Sequence, residues 1–148
     1  MISIPNSQSD VLLSSGSKHE RNIVAAMPNM IYMQRSRGYE WRNAMSINEI
    51  KDAVEYVKSL GFSGCIMLDN CYGEFIDKVE PTEVGVNLMA GSMIKNPGGG
   101  IVPTGGYVVG DKKYVDKVQN RLTAPSIGGE VGSYAYGYQY YFQGLFLA

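Results

Sequence analysis

The sequence predicts an α/β fold, a mainly parallel sheet flanked by helices. Three observations carry this. Residues 64–69 (GCIMLD) and 88–91 (LMAG) are short apolar runs without polar alternation, as expected of strands covered on both faces. Ser46-Ile47-Asn48-Glu49 is a capping box opening a one-sided helix. Strands and helices then alternate along the chain, the pattern of a sheet built through helical crossovers.

Residues 1–29 read as a poorly ordered lead-in, polar over 1–20 and carrying Ser14-Ser15-Gly16-Ser17. The apolar stretch 23–34 is interrupted by Pro28, which breaks it into a turn and a strand over 30–34. Residues 35–45 form a loop with Arg35, Arg37, Arg42, Tyr39 and the only tryptophan, Trp41. In the helix that follows, Ile47, Ile50, Val54 and Val57 share one face, and Gly61 suits the position just past its end. The strand 64–69 ends in Asp69. An irregular connection over 70–87 contains one helical turn at Pro81-Thr82-Glu83, and a strand over 88–91 follows. After a loop, Gly106–Val109 is a further strand and Lys112 to about Leu122 a helix. Residues 124–129 are a glycine-bearing break, and the tyrosine-rich tail 131–147 reads as helical. No internal repeat is visible.

Composition excludes several classes. The chain is 45% hydrophobic and 18% charged with a formal net charge of −1, ordinary for one globular domain. No basic run interleaves with aromatics, so nucleic acid is not an expected partner. No apolar run approaches the roughly 20 residues that span a bilayer, and MISIPNSQSD lacks the layout of a secretory signal. Cys65 and Cys71 read as reduced thiols rather than a disulfide. The single histidine, His19, rules out a multi-histidine metal site, and with the two cysteines it fits no zinc spacing. No metal is expected.

In parallel α/β sheets, functional residues sit beyond the carboxyl ends of the strands. That places residues 34–37, 69–72 and 92–95 along one rim. Asp69 ends one strand. Lys95 follows the next, after Gly91-Ser92 and before Asn96-Pro97 and three glycines. An acid and an amine on one rim form either a simple salt bridge or two ends of a pyridoxal phosphate site. The second chemistry asks for an amine to bind the cofactor covalently, a carboxylate to keep the pyridine nitrogen protonated, and hydroxyls and backbone amides for the phosphate. Lys95, Asp69 and Ser92 are the candidates. The glycines do not make a nucleotide-binding P-loop, because there the lysine follows them.

The segments MIYMQRSRGY, LDNCYGEF, EPTEVG, AGSMIKNPGGG, PTGGYVVG, RLTAPSIGGEVG and FQGLFLA resemble the methionine gamma-lyase family. Its members are often labelled aluminium resistance proteins or cystathionine beta-lyases, within the Cys/Met-metabolism enzymes of PLP fold type I. The resemblance runs from about Met30 to Ala148. It implies that residues 30–148 are the central part of a fold type I large domain. It also implies that Lys95 carries the Schiff base, Asp69 pairs with the pyridine nitrogen, Ser92 binds phosphate, and Cys71 packs on a ring face. Ile94 stands where related enzymes often have a threonine. The implied cofactor is pyridoxal 5′-phosphate. The implied function is a carbon–sulfur lyase of the methionine gamma-lyase or cystathionine lyase type. Its substrate would be a sulfur-containing amino acid, its setting the cytoplasm, and the full-length enzyme a homo-oligomer. Family chains are far longer, so the chain reads as a fragment of the large domain, and a truncated piece without independent activity is the alternative.

Other residues have plainer readings. The three loop arginines are either anchors for an anion or a solvated loop. Arg121 suits a helix C-terminus. Tyr72 is a cofactor contact or a packing tyrosine, Glu74 and Glu80 read as surface residues, and Met89 and Met93 as core.

Overall fold

The computed structural model describes residues 2–4, 11–13, 28–124, 126–130, 132–133 and 137–148. Six strands form one sheet: β1 (Ile2–Ile4), β2 (Val11–Leu13), β3 (Met30–Gln34), β4 (Cys65–Asp69), β5 (Leu88–Ser92) and β6 (Gly106–Gly110). Their order in space is β2-β1-β3-β4-β5-β6. The centre, β3-β4-β5, is parallel, with Gln34 opposite Asp69 and Asp69 opposite Ala90. Both flanks are antiparallel. β6 runs back along β5, with Ser92 opposite Gly106, because the connection 93–105 contains no crossover helix. Two strands, β1 and β2, lie within the stretch read as lead-in, whereas His19 falls outside the described residues.

Helix α1 (Ile47–Ser59) forms where its local signals place it. Ser46 accepts from the Glu49 backbone N–H at 3.3 Å, and the Glu49 carboxylate accepts from the Ser46 backbone N–H at 2.7 Å. Gly61 closes the helix at φ +83°, a conformation that would strain a side chain. Ile50, Val54 and Val57 are buried against Ile31 and Met33 of β3 and Ile66 and Leu68 of β4. Each such burial is worth about 2 kcal/mol. Ile31 pairs with Ile66 and Met33 with Leu68, so the alternation of each strand sends these four to one face. Tyr32, Gln34 and Asp69 are left on the other.

Pro81–Val84 is a single 3-10 turn, and a second, Asn96–Gly98, lies directly after Lys95 where only a loop was expected. Helix α2 spans Lys112–Leu122 and helix α3 spans Gln139–Leu147. The last is shorter than the tail suggests. Gly132 and Gly137 both sit at φ +74°, which a continuing helix cannot accommodate. The glycines after Lys95 serve this helix. A Cβ on Gly144 would lie 2.6 Å from the Gly98 carbonyl oxygen, and one on Gly99 would lie 2.6 Å from that of Gly144. No helix among the described residues is long and apolar enough to cross a membrane.

Replacing Ser46 by alanine is expected to cost about 1 kcal/mol of stability in urea denaturation at neutral pH. The Ser46 backbone N–H and hydroxyl hold the Glu49 carboxyl below its ordinary 4.5. A depressed folded pKa contributes stability that is complete above the unfolded value and lost as pH falls through the folded one. The gap between wild type and Ser46→Ala should therefore narrow below pH 4.5.

Candidate active site

The carboxyl ends of β3, β4 and β5 meet at one rim, and main-chain bonds carry their pairing past the strands. The Arg35 N–H donates to the Asp69 carbonyl at 3.0 Å and the Asn70 N–H to the Ala90 carbonyl at 2.8 Å. Asp69 is held at both oxygens. Oδ1 accepts from the Cys71 N–H at 2.9 Å and Oδ2 from the Tyr32 hydroxyl at 3.3 Å. Burial, then the charge of Asp69, pushes the Tyr32 phenol up to about 12. Tyr32 was not singled out from the sequence. Its place opposite Met67, two residues before Asp69 on the same face, becomes visible only with the register.

Lys95 leaves β5 through a tight turn in which its N–H donates to the Ser92 carbonyl at 3.3 Å. Its Nζ lies 4.7 Å from the centre of the Tyr72 ring, a cation–π contact. Cys71 sits between the two charged groups, its N–H donating to Asp69 and its neighbour Tyr72 in contact with Lys95. Its hydrogen bond to Lys95 is the main cause that raises the lysine, with burial opposing. Burial is the main cause that raises the Cys71 thiol, with its hydrogen bond to Asp69 adding and Lys95 pulling it down. Both shifts point the same way: a neutral thiol and an ammonium at neutral pH. Cys65 and Cys71 are both free and buried. Of the four residues singled out, Asp69, Cys71 and Lys95 thus come together. Ser92 stands on the same rim at the end of β5.

The loop carrying Cys71 and Tyr72 is held by Arg35. This side chain is neither solvated nor open to an anion, since it is only 4% exposed. Its Nε donates to the Met45 carbonyl at 3.2 Å. Nη1 donates to Asn70 Oδ1 at 3.0 Å and to the Gly73 carbonyl at 2.8 Å, and Nη2 to Asp77 at 2.5 Å. Arg37 is exposed, and Arg42 donates to the carbonyls of Gln34 and Ser36. Glu74 is not a surface residue but 6% exposed. Its Oε1 accepts from the Tyr107 hydroxyl at 2.9 Å, across Gly91, where a Cβ would lie 2.5 Å from that oxygen. Met89 and Met93 are buried as expected. Two cavities flank the Tyr72–Lys95 contact, each about 530 Å³: one lined by Arg35, Cys71 and Tyr72, the other by Glu74, Lys95 and Gly100.

The sequence profile described as methionine gamma-lyase matches residues 9–148. The chain belongs to the methionine gamma-lyase family. It is 45% identical over 140 residues to the uncharacterized protein YnbB of Bacillus subtilis, covering 92% of this chain and 33% of YnbB. Among solved structures it is similar to a carbon–sulfur lyase involved in aluminium resistance from Clostridium novyi. There the identity is 46% and the TM-score 0.78, over 88% of this chain and 31% of that one. Cystathionine gamma synthase of Xanthomonas oryzae shares the fold alone, at 18% identity and TM-score 0.55, over 86% of this chain and 30% of that one. The chain spans about a third of the length of YnbB. The family profile begins inside the stretch read as lead-in.

Replacing Arg35 by methionine strands the Asn70, Gly73 and Asp77 acceptors. It should cost on the order of 3 kcal/mol in urea denaturation. Arg35→Lys should recover less than half of that, because one ammonium cannot span acceptors set for a planar fork. A loss below 1 kcal/mol for Arg35→Met would show that the loop is held elsewhere.

Proposed function

We propose that the chain carries the cofactor-holding part of a pyridoxal phosphate-dependent carbon–sulfur lyase of the methionine gamma-lyase or cystathionine lyase type. The observation that carries this is that Asp69, which accepts from the Cys71 N–H, and Lys95, whose Nζ lies over the neighbouring Tyr72 ring, share one rim beyond the carboxyl ends of two adjacent parallel strands. The donor set fits the group. Asp69 is fixed by a phenol hydroxyl and an amide N–H, and its side chain would pair with the pyridine nitrogen. Lys95 Nζ would hold the cofactor covalently, Cys71 would pack on its ring, and Ser92 would take part of the phosphate. When bound, the group supplies an electron sink for a substrate carbanion.

The chain's own contribution is proton handling and orientation. Lys95 Nζ would be the base that takes the α proton of a bound substrate. In the free chain this amine is an ammonium, raised by Cys71, so it must shed a proton before it can attack a carbonyl. Tyr72, on a left-handed backbone at φ +68°, holds the lysine from one side. The substrate in this reading is a sulfur-containing amino acid, residues 30–148 are part of a large domain, and the complete enzyme is a cytoplasmic homo-oligomer. A second reading, that the chain has no activity by itself, is favoured by its covering only 33% and 42% of two curated relatives.

Incubating the purified chain with pyridoxal phosphate should give visible absorbance that borohydride fixes on Lys95, found by peptide mapping and lost in Lys95→Ala. Adduct formation should accelerate about tenfold per pH unit through the neutral range, since free amine grows that way below a raised pKa. An adduct spread over surface lysines, with none on Lys95, would leave the second reading standing.

A further inference from the structure

A smaller cavity, about 260 Å³, adjoins the one lined by Lys95 and shares Glu74 and Phe75 with it, but Lys95 does not line it. Met89, Met93, Val109 and Leu145 give it apolar walls, and Glu74 and Glu80 give it two carboxylates. No lysine, arginine or histidine lines it among the described residues. Glu80 is already engaged, accepting from Asn70 Nδ2 at 3.4 Å and from the Phe75 N–H at 3.3 Å. Glu74 is half engaged. Its Oε1 accepts from Tyr107, and its buried Oε2 has no donor among the described residues. Burial, with these carboxylates adding, pushes the Tyr107 phenol up, so Tyr107 stays protonated and its bond to Glu74 persists. What Glu74 lacks is one further donor, and a buried charge of this kind asks for a cationic one.

We propose that this cavity binds the alkylammonium end of a small molecule, with the ammonium donating to Glu74 and the methylenes lying on Met89, Met93, Val109 and Leu145. An ammonium has three donors and no acceptor, which suits a pocket whose polar end is carboxylate. A hydrocarbon stem suits the apolar walls as it does along a lysine side chain. Lys95 does not line this cavity, so the proposal needs no cofactor, although Glu74 also borders the cavity that holds the lysine.

The test uses the whole chain with methyl-labelled methionine. The Met89 and Met93 signals are assigned through Met89→Leu and Met93→Leu. n-Butylammonium chloride is titrated at neutral pH, with n-butanol and matched sodium chloride as controls. Saturable shifts of the Met89 and Met93 methyls are expected with the amine. Butanol should bind at least tenfold more weakly. Glu74→Gln keeps an acceptor for Tyr107 while removing the charge, and should raise the dissociation constant for the amine at least tenfold. Equal binding of amine and alcohol by the wild type would overturn the proposal without need of any variant. So would the absence of saturable shifts, or an unchanged constant in a folded Glu74→Gln.

Discussion

The rim of this molecule depends on one buried guanidinium. Arg35 donates four hydrogen bonds, to Met45 ahead of α1 and to Asn70, Gly73 and Asp77 in the loop after β4. A buried charge is costly unless its donors are met, and here the acceptors come from two separate loops. Gly73 shows how close the packing is, since a Cβ there would lie 2.5 Å from Arg35 Cδ. The guanidinium therefore sets where the loop 70–77 runs, and with it the positions of Cys71, Tyr72 and Glu74.

That loop stores strain. Tyr72 and Phe75 both have positive φ, at 68° and 61°, a conformation that costs a side-chain-bearing residue about 1 kcal/mol or more. The reversal at Tyr72 turns its ring under Lys95, and the reversal at Phe75 turns its N–H to Glu80. The intervening Gly73-Glu74 step sends the Glu74 carboxylate over Gly91 to Tyr107. A single clamp thus supports two different electrostatic settings, one beside the lysine and one beneath β5.

Local signals were legible in the sequence. The capping box, the apolar face of α1 and the buried strands at 65–69 and 88–92 depend on residues a few positions apart, and each forms where its pattern indicates. The rim holding Asp69, Cys71 and Lys95 was legible as well, because parallel strands align their carboxyl ends. The antiparallel return of β6 follows from a connection without a crossover helix. The fates of Arg35 and Glu74 were not legible. Both carry charges, which by composition belong in solvent, and each is buried by partners about 35 residues away in sequence. Burial of a charge is a property of the partner set, and no local pattern announces it.

The two acids at the centre of the molecule, Asp69 and Glu74, separate for the same reason. Asp69 is half-buried, with both oxygens held by donors of its own sheet and loop, so its charge is fixed in place and can bias a neighbouring base or ring without moving. Glu74 is more deeply buried and only half satisfied. An acceptor that the fold satisfies completely serves as a fixed charge, whereas one left half satisfied keeps its capacity to bind. Five positions apart, one ending β4 and the other in the loop after it, the two carboxylates are suited to different tasks, and the difference comes from the donors each one meets.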